Sequence, residues 1–445
     1  MSNKTNLRII NIWICSIEKD TVRPCFGDVH IREGKIDAFD LRAFPKFSSV
    51  QEGINTIDGK GRVLTVPLVN FHEHIYSRMA TGLPVTGPME NFTGILKNLW
   101  WTLDQKLDPE TISACTEIAV QQFIRNGVMY IFDHHSSPNS ITGSLPIIAK
   151  ILRHHHLRGV LCYETSDRNK ETGSELAIQE NCDFIHSGTD DDVKGMLGLH
   201  ACFTLSDDTL MRAQKIVREL SSPIHIHLAE DKADVEYCRK TYNLSPVERL
   251  AKYDLLGPES LLIHGVHLDM RDYEILSKVG CQIVYNPDSN LNNAVGLPDY
   301  ASVPQNIPVL AGTDGMHANV HRSLKQLFLL YRMQHHRFQH AFQWLEKIYF
   351  DQIKYVKKWF PDYPTLHEGD RADMVLWDYI PATPFREENY FGHLIYGLTE
   401  SQAYAVLQNG EILMRDFKST KIESNVSIQA LLKQGKKLYD RMGDL

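Results

Sequence analysis

The pattern of apolar and polar positions divides the chain into three zones. The first 66 residues and the segment after Gly369 consist of short strand-like runs, separated by turn residues such as Gly34 and the Asn409-Gly410 pair. Between them, short apolar runs alternate with longer stretches of helical spacing, and helical spacing returns at 428–442. This order predicts that both chain ends build one small β-unit beside a central α/β region.

The central zone contains eight apolar runs of strand length. A strand followed by a helix, repeated eight times, closes into a (β/α)8 barrel. The eight runs lie at 63–70, 128–133, 159–163, 195–200, 224–228, 261–264, 282–285 and 309–312. We therefore predict an α/β fold class, with a TIM-like barrel over residues 67–368, a small composite β-sandwich from residues 1–66 and 369–425, and a C-terminal helix at 426–445.

The composition excludes several classes of function. The 445 residues carry a net charge of −8, which disfavours nucleic-acid backbones and anionic membranes as partners. No apolar run approaches the roughly 18 residues that a membrane-spanning helix needs. Glu18 and Asp20 follow the first apolar stretch, where a signal peptide would have small residues. We expect a cytoplasmic protein whose partner is a small molecule, with no nucleic acid and no membrane.

Two of the 21 histidines have the spacing of metal ligands. His72 and His74 lie just past a predicted strand, and side chains two residues apart on a strand point to the same side. Both imidazoles can therefore contact one ion. The pair alone is a weak signal, because this spacing often arises by chance in a histidine-rich chain.

Further polar residues occur at the same end of later predicted strands. His225 and His227 precede Glu230, His264 ends the sixth run, and Asp314 follows the eighth. Taken singly, each has an ordinary explanation as a capping residue, a turn residue or a buried core histidine. Together they fall at the carboxyl ends of strands, where a barrel places its active site. Three histidines and one carboxylate suit a divalent ion such as zinc, so the sequence predicts a metal centre.

These motifs, in this order, resemble the amidohydrolase superfamily, in its branch of cytosine-deaminase-like and triazine-hydrolase-like enzymes. The resemblance spans nearly the whole chain and extends to an N-P-x-S-N loop at 286–290 and a G-x-x-A-D segment at 369–373. More narrowly, the segments 96–101, 133–138 and 164–169 are similar to SsnA-type aminohydrolases. The resemblance implies a metal-dependent hydrolase and defines its site better than its substrate.

The resemblance also implies roles for individual residues. One divalent ion, either zinc or alternatively Fe2+ or Mn2+, would be bound by four residues: His72, His74, His227 and Asp314. The ion would lower the pKa of its water from about 15.7 to about 7, and Asp314 would take the water proton. Glu230 would pass a proton to a ring nitrogen, and His264 would stabilise the oxyanion. A salt bridge from Glu230 to Lys232 is the alternative. No lysine ends the fourth strand, so a mononuclear site is expected.

The same resemblance places substrate-binding residues around the ion: His200, Tyr76, Trp101 and Asn290. His200 ends the fourth predicted strand and matches a substrate-contacting histidine of the family, although a capping role is the alternative. Tyr76 and Trp101 are equally compatible with packing in the core. His134 is a candidate to surround the ligands, with ordinary buried packing as its alternative.

Glu73 departs from the family, whose members usually carry a neutral or small residue between the two ligand histidines. On a strand its side chain should point away from the metal, so an outward salt bridge is expected. Thr81 stands where an arginine often precedes Gly82, and Arg78 lies one turn earlier. Because these differences lie beside the pocket, the substrate of a relative cannot be transferred to this chain.

The sequence therefore predicts a metal-dependent aminohydrolase that deaminates a nitrogen heterocycle such as a purine, a pterin or a pyrimidine. One alternative is hydrolysis of a cyclic amide or amidine, or displacement of another leaving group, because the same activated water attacks any polarised carbon. A second alternative is a catalytically silent binding scaffold that keeps the barrel. Relatives are often dimers, so a homodimer is also compatible with the prediction.

Overall fold

The computed structural model describes residues 6–50, 55–169, 171–420 and 425–443. Five strands precede the central region: β1 (Leu7–Glu18), β2 (Thr21–Arg32), β3 (Lys35–Leu41), β4 (Thr56–Asp58) and β5 (Val63–Thr65). β2 pairs antiparallel with both β1 and β3, whereas β4 and β5 pair parallel with β1. The long strand β1 therefore organises the N-terminal part of this sheet.

The central region consists of parallel strands in two sheets. They are β6 (Leu68–Glu73), β7 (Val128–His135), β8 (Arg158–Tyr163), β9 (Val193–Gly195), β10 (Leu197–Ala201), β11 (Ile224–Leu228), β12 (Leu261–His264), β13 (Gln282–Tyr285) and β14 (Val309–Ala311). The sheet orders are β6-β7-β8-β9 and β10-β11-β12-β13-β14. β7 is buried at all eight positions and β8 at all six, which explains their nearly continuous apolar sequences.

Parallel bridges join the two central sheets at both edges. At one edge Thr165, which follows β8, bridges Leu199 of β10. At the other edge Glu73 of β6 bridges Asp314, and the Asp314 amide donates to the carbonyl oxygen of His72 at 3.0 Å. The α/β class predicted from the sequence is thus confirmed, with parallel strands linked side to side.

Strands from the C-terminal segment complete the first sheet. They are β15 (Met374–Trp377), β16 (Ala403–Gln408), β17 (Glu411–Arg415) and β18 (Lys418–Ser419), in the order β18-β17-β16-β15-β5-β1-β2-β3, with β4 also on β1. The predicted continuous strand at 63–70 is wrong. It divides at Val66-Pro67 into β5 and β6, which belong to different sheets. The strand breaks here because proline has no amide hydrogen to donate to a neighbouring strand.

Helices connect most of the central strands. They are α1 (Phe92–Ile95), α2 (Trp101–Asp104), α3 (Pro109–Arg125), α4 (Ser144–His154), α5 (Glu171–Asp183), α6 (Asp207–Leu220), α7 (Lys232–Tyr242), α8 (Pro246–Lys252), α9 (Met270–Val279), α10 (Pro287–Asn292), α11 (Val320–His335), α12 (Phe338–Trp359), α13 (Tyr390–Tyr396) and α14 (Asn425–Gly443). Local sequence sets their starts: the Asp108 side chain accepts from the Thr111 amide, and Pro109 occupies the first turn of α3. Among the described helices, none has the length and apolar character needed to cross a membrane.

Glu73 is buried, and the expectation of an outward salt bridge is wrong. Its carboxylate pairs with Arg78 and accepts a hydrogen bond from the Thr313 hydroxyl at 2.8 Å. Arg78 also donates to the His317 carbonyl at 3.1 Å. Burial raises the pKa of Glu73 to about 7, and Arg78 opposes this rise. Because Thr313 and His317 flank Asp314, this network ties β6 to the loop that carries Asp314.

We predict that Glu73→Ala lowers the free energy of unfolding by about 3–5 kcal/mol, because it leaves Arg78 as a buried charge without its partner. The measurement is the midpoint of chemical denaturation, followed by circular dichroism. The matched control is Glu236→Ala on the exposed face of α7, for which a change within about 0.5 kcal/mol is expected. Removing Arg78 as well, in Glu73→Ala/Arg78→Met, should restore part of the loss. An unchanged midpoint for Glu73→Ala would contradict the prediction.

Candidate active site

The carboxyl ends of the central strands bring the predicted ligands into one cluster. His72 lies on β6 with His74 just after it, and His227 lies on β11. His264 ends β12, and Asp314 follows β14. These five residues come from four strands, and all four histidine side chains are buried. Parallel strands start from the same side of the sheet, so their ends meet at one place despite wide separation in the sequence.

Hydrogen bonds to backbone carbonyls determine which nitrogen carries the proton in two of the imidazoles. The Nδ1 atom of His74 donates to the His134 carbonyl at 2.7 Å, and Nδ1 of His227 donates to the His200 carbonyl at 2.9 Å. In the neutral rings, both Nε2 atoms therefore present lone pairs, and these two atoms lie 3.2 Å apart. Two lone pairs cannot bond to each other, so this arrangement fits a cation between them.

Two more candidate ligand atoms, on His72 and Asp314, lie close to the Nε2 atoms of His74 and His227. His72 Nε2 is buried without a hydrogen-bond partner, while His72 Nδ1 lies 2.9 Å from Nε2 of His225. Asp314 Oδ1 lies 3.2 Å from His74 Nε2 and 3.8 Å from His72 Nε2. Two ligands at about 2.1 Å from one ion lie about 3.4 Å apart at a tetrahedral angle. The donor set and these separations therefore fit one divalent ion.

His264 and Glu230 lie directly beside this cluster. His264 Nδ1 donates to the Asn290 side-chain oxygen at 2.7 Å, so its Nε2 atom presents a lone pair. That atom lies 3.5 Å from Glu230 Oε2 and 3.5 Å from Asp314 Oδ2. Burial raises the pKa of Glu230 well above its usual range, and Asp314 raises it further. Asn290 thus holds His264 in place, and burial favours the protonated form of Glu230.

Left-handed backbone occurs at or just after the ends of three of these strands. Ala229, His264 and Asp314 have φ angles of +46°, +75° and +54°. These values lie in the left-handed region, which is unfavourable for residues other than glycine. Each such conformation costs of order 1–3 kcal/mol and persists where surrounding structure requires it. Two of these positions, His264 and Asp314, are residues with candidate chemistry, and Ala229 directly precedes Glu230.

A pocket of about 650 Å³, including its open mouth, extends from the cluster to the surface. Aromatic side chains form much of the wall: Tyr76, Phe92, Trp100, Trp101 and Phe203. The Tyr76 ring lies 5.4 Å from the His74 ring, and the Trp101 ring lies 6.1 Å from the His200 ring. Of the predicted substrate-binding residues, Tyr76, Trp101 and His200 line the pocket, whereas Asn290 contacts His264 behind it.

Sequence reasoning missed two carboxylates of the pocket wall, Asp104 and Glu164. Arg168 pairs with both. Burial raises the pKa of Asp104 to about 6, against the lowering effect of Arg168. Glu164 directly follows β8, so the strand-end argument that selected His264 applies equally to it. Asp104 ends the short helix α2 and had no comparable signal.

Comparison with known proteins agrees with this arrangement. The sequence model of the amidohydrolase family matches residues 63–437. A 5-methylthioadenosine/S-adenosylhomocysteine deaminase from Desulforudis audaxviator is 25% identical over 425 residues, covering 93% of this chain and 95% of the relative. A zinc-bound adenosine deaminase from Xanthomonas campestris has the same fold, with a TM-score of 0.82 and 18% identity over 99% of each chain.

A triazine hydrolase from Arthrobacter aurescens, an atrazine chlorohydrolase solved with zinc, also shares the fold. Its TM-score is 0.75 at 17% identity, over 97% of this chain and 100% of that chain. The family match extends over most of the sequence and includes every residue of the cluster. The resemblance seen in the sequence is therefore confirmed, and the chain belongs to the amidohydrolase family.

Proposed function

We propose that this protein is a metal-dependent aminohydrolase that releases ammonia from a nitrogen heterocycle. The observation that carries the proposal is the facing pair of Nε2 lone pairs on His74 and His227. His72 and Asp314 complete this group, and Glu230 lies beside it. The membership in the amidohydrolase family supports a hydrolytic reaction at a C–N bond. The curated relative from Desulforudis audaxviator, named a deaminase, supports an amino leaving group.

Zinc is the ion that we propose for the site, with Fe2+ or Mn2+ as alternatives. Three imidazoles and one carboxylate are ligands that zinc accepts while keeping a position for water. The solved structure of the Xanthomonas campestris deaminase contains zinc. When bound, such an ion supplies a nucleophile at neutral pH by lowering the pKa of a water ligand to about 7.

The residues of the chain would then move the protons. Asp314 directs Oδ1 toward the histidine lone pairs and Oδ2 toward His264, so Oδ2 is placed to accept a proton from the attacking water. Burial favours the protonated form of Glu230, which would donate a proton to the ring nitrogen of the heterocycle. Asp314 would pass the proton taken from the water to the amino group, which leaves as ammonia, and Glu230 would regain a proton from the hydroxyl group as the carbonyl forms. His264 would stabilise the charge that develops on the oxygen only with both ring nitrogens protonated, because in the neutral ring Nε2 carries a lone pair.

We also propose that the central strands close into a barrel and that the two chain ends form one domain. The bridges from Thr165 to Leu199 and from Glu73 to Asp314 support closure of the central strands into a (β/α)8 barrel over 67–368. The strands of 1–66 and 369–425 share one sheet, which supports a joint terminal domain, although its form as a β-sandwich stays a prediction. A cytoplasmic location and a homodimer stay predictions as well.

The decisive experiment is a substrate screen of the zinc-loaded full chain. One panel contains aminated purines, pterins and pyrimidines, including adenine nucleosides, and the other contains cyclic amides and amidines. Ammonia release from the first panel is expected, read by a coupled ammonia assay. Ring opening or release of another group without ammonia would overturn the deaminase proposal and support the hydrolase alternative.

Elemental analysis should find about one divalent ion per chain after growth with sufficient metal, because the four donors fit one ion. The variant His72→Ala/His74→Ala should retain less than a tenth of that content. Circular dichroism would check that the variant is folded. If the unaltered chain itself held less than a tenth of an ion per chain, the protein would be better interpreted as a catalytically silent binding scaffold.

Glu230→Gln should lower kcat for ammonia release by about 10²–10⁴-fold, because a glutamine cannot donate the proton to the ring nitrogen. Metal content should stay at the level of the unaltered chain, since Glu230 is not among the four ligands. The pair of measurements separates proton transfer from metal binding. Unchanged kcat in this variant would remove Glu230 from the proposed reaction.

A further inference from the structure

A helical segment between β6 and β7 forms part of the pocket wall. It consists of α1, a π-helical turn at Leu96–Trp100, and α2. Such turns are rare and are often found at functional sites. Four side chains of the segment line the active-site pocket: Phe92, Leu96, Trp100 and Trp101. The segment therefore borders the space that a substrate would occupy.

The hydrogen bonds of residues 84–102 stay within this part of the chain. The Asn98 side chain donates to the Pro88 carbonyl at 2.7 Å. The Thr102 hydroxyl donates to the Lys97 carbonyl at 2.9 Å. Apart from backbone bonds along the helix itself, no hydrogen bond or ion pair joins residues 84–102 to the rest of the described chain. Apolar and ring contacts thus provide the attachment of the segment.

A small apolar cluster holds the segment against the strand ends. Phe92 and Leu96 pack there with Val266, which follows β12, and with Val295, which follows α10. These four side chains, which we call the latch, form a cluster separate from the main core. Only 6% of Phe92 and 9% of Leu96 is exposed, so the latch is closed in this structure. Burial of apolar surface is the attraction that keeps it closed.

Two open clefts adjoin the segment. One cleft, of about 840 Å³ including its open mouth, is bordered by Lys97 and Trp101. The other, of about 950 Å³ including its mouth, is bordered by Leu99 and Trp100. Trp100 and Trp101 also line the active-site pocket, so both rings stand between that pocket and a cleft. The segment therefore has solvent space beside it, into which it can move.

The two ends of the segment differ in their attachment. Near the N-terminal end, Gly82 has a φ angle of +77°, and no atom of the described chain beyond its two neighbours lies within 4 Å of the position of a Cβ. At the other end, Leu103 is fully buried in the main core. Asp104 pairs there with Arg168 and accepts a hydrogen bond from the Ser136 hydroxyl at 2.9 Å. The N-terminal end can therefore turn, whereas the C-terminal end is anchored.

We propose that residues 84–102 form a lid that opens to admit a heterocycle-sized molecule into the pocket, by breaking the latch while Asp104 stays in place. The opposite wall differs, because His227 lies on β11 and Glu164 follows β8. Regions with few buried apolar contacts open at a lower free energy than the core. Closure of a lid separates a bound substrate from water. This inference concerns access to the pocket and is independent of the reaction that takes place there.

The test measures thiol labelling of the full chain at two buried leucines. Leu96→Cys lies in the latch, and Leu345→Cys lies on α12 in the main core. Each is reacted with dithiodipyridine, a flat heterocyclic reagent, and peptide mass spectrometry identifies the labelled site. The rate is divided by that of the same cysteine in the urea-unfolded chain. We expect position 96 to be at least about a hundredfold less protected than position 345, because opening of the lid leaves the core folded.

A second pair of variants tests the latch in the Leu96→Cys chain. Val295→Ala should raise the labelling rate at position 96 about tenfold, because the latch then buries less apolar surface. Val356→Ala makes the same change in the main core, on α12, and should leave this rate within about twofold. An unchanged rate in Val295→Ala would contradict the role of the latch.

Equal protection at positions 96 and 345 would overturn the lid. So would labelling of position 96 by the small reagent iodoacetamide but not by dithiodipyridine, since the opening would then be too narrow for a heterocycle. If Leu96→Cys does not fold, Phe92→Cys takes its place in the same comparison. The labelling needs no substrate, so its failure and a failure of ammonia release are distinguished.

Discussion

The site depends on one electrostatic constraint: His74 and His227 present unprotonated nitrogens to each other at 3.2 Å. Each ring is held in this state because its other nitrogen donates to a backbone carbonyl. Without a cation, two buried lone pairs at this distance repel each other. In the proposed metal centre, the carbonyl acceptors would therefore prepare both imidazoles as ligands before any ion binds.

Two features that hold the histidines and Asp314 together are energetically unfavourable on their own. Three strand ends adopt left-handed backbone, and Glu73 and Arg78 form a buried ion pair behind the ligands. Such pairs seldom add stability relative to apolar packing, because both charges lose their hydration. Here the pair joins the strand that carries His72 to the loop that carries Asp314. We therefore infer that the pair fixes the separation of the proposed ligands, which come from distant parts of the chain.

The pocket combines an aromatic wall with an excess of carboxylates. Aromatic faces suit a flat heterocycle, and the charged groups limit which substituents it can carry. Glu230 and Asp314 lie on one side of the ligands, and Glu164 lies beside His200 and His227. The two groups of carboxylates differ in their surroundings, since burial and Asp314 raise the pKa of Glu230, whereas Arg168 pairs with Glu164.

The sequence by itself determined the strand pattern and the residues at strand ends. The runs at 224–228, 261–264 and 282–285 coincide with β11, β12 and β13, because buried parallel strands are continuous apolar segments. Only the tertiary structure decided the burial of Glu73, the pairing of Arg168 with Asp104 across 64 residues, and the protonated nitrogen of each imidazole. These depend on partners that are distant in sequence, and no local pattern of apolar and polar residues records which distant groups will meet.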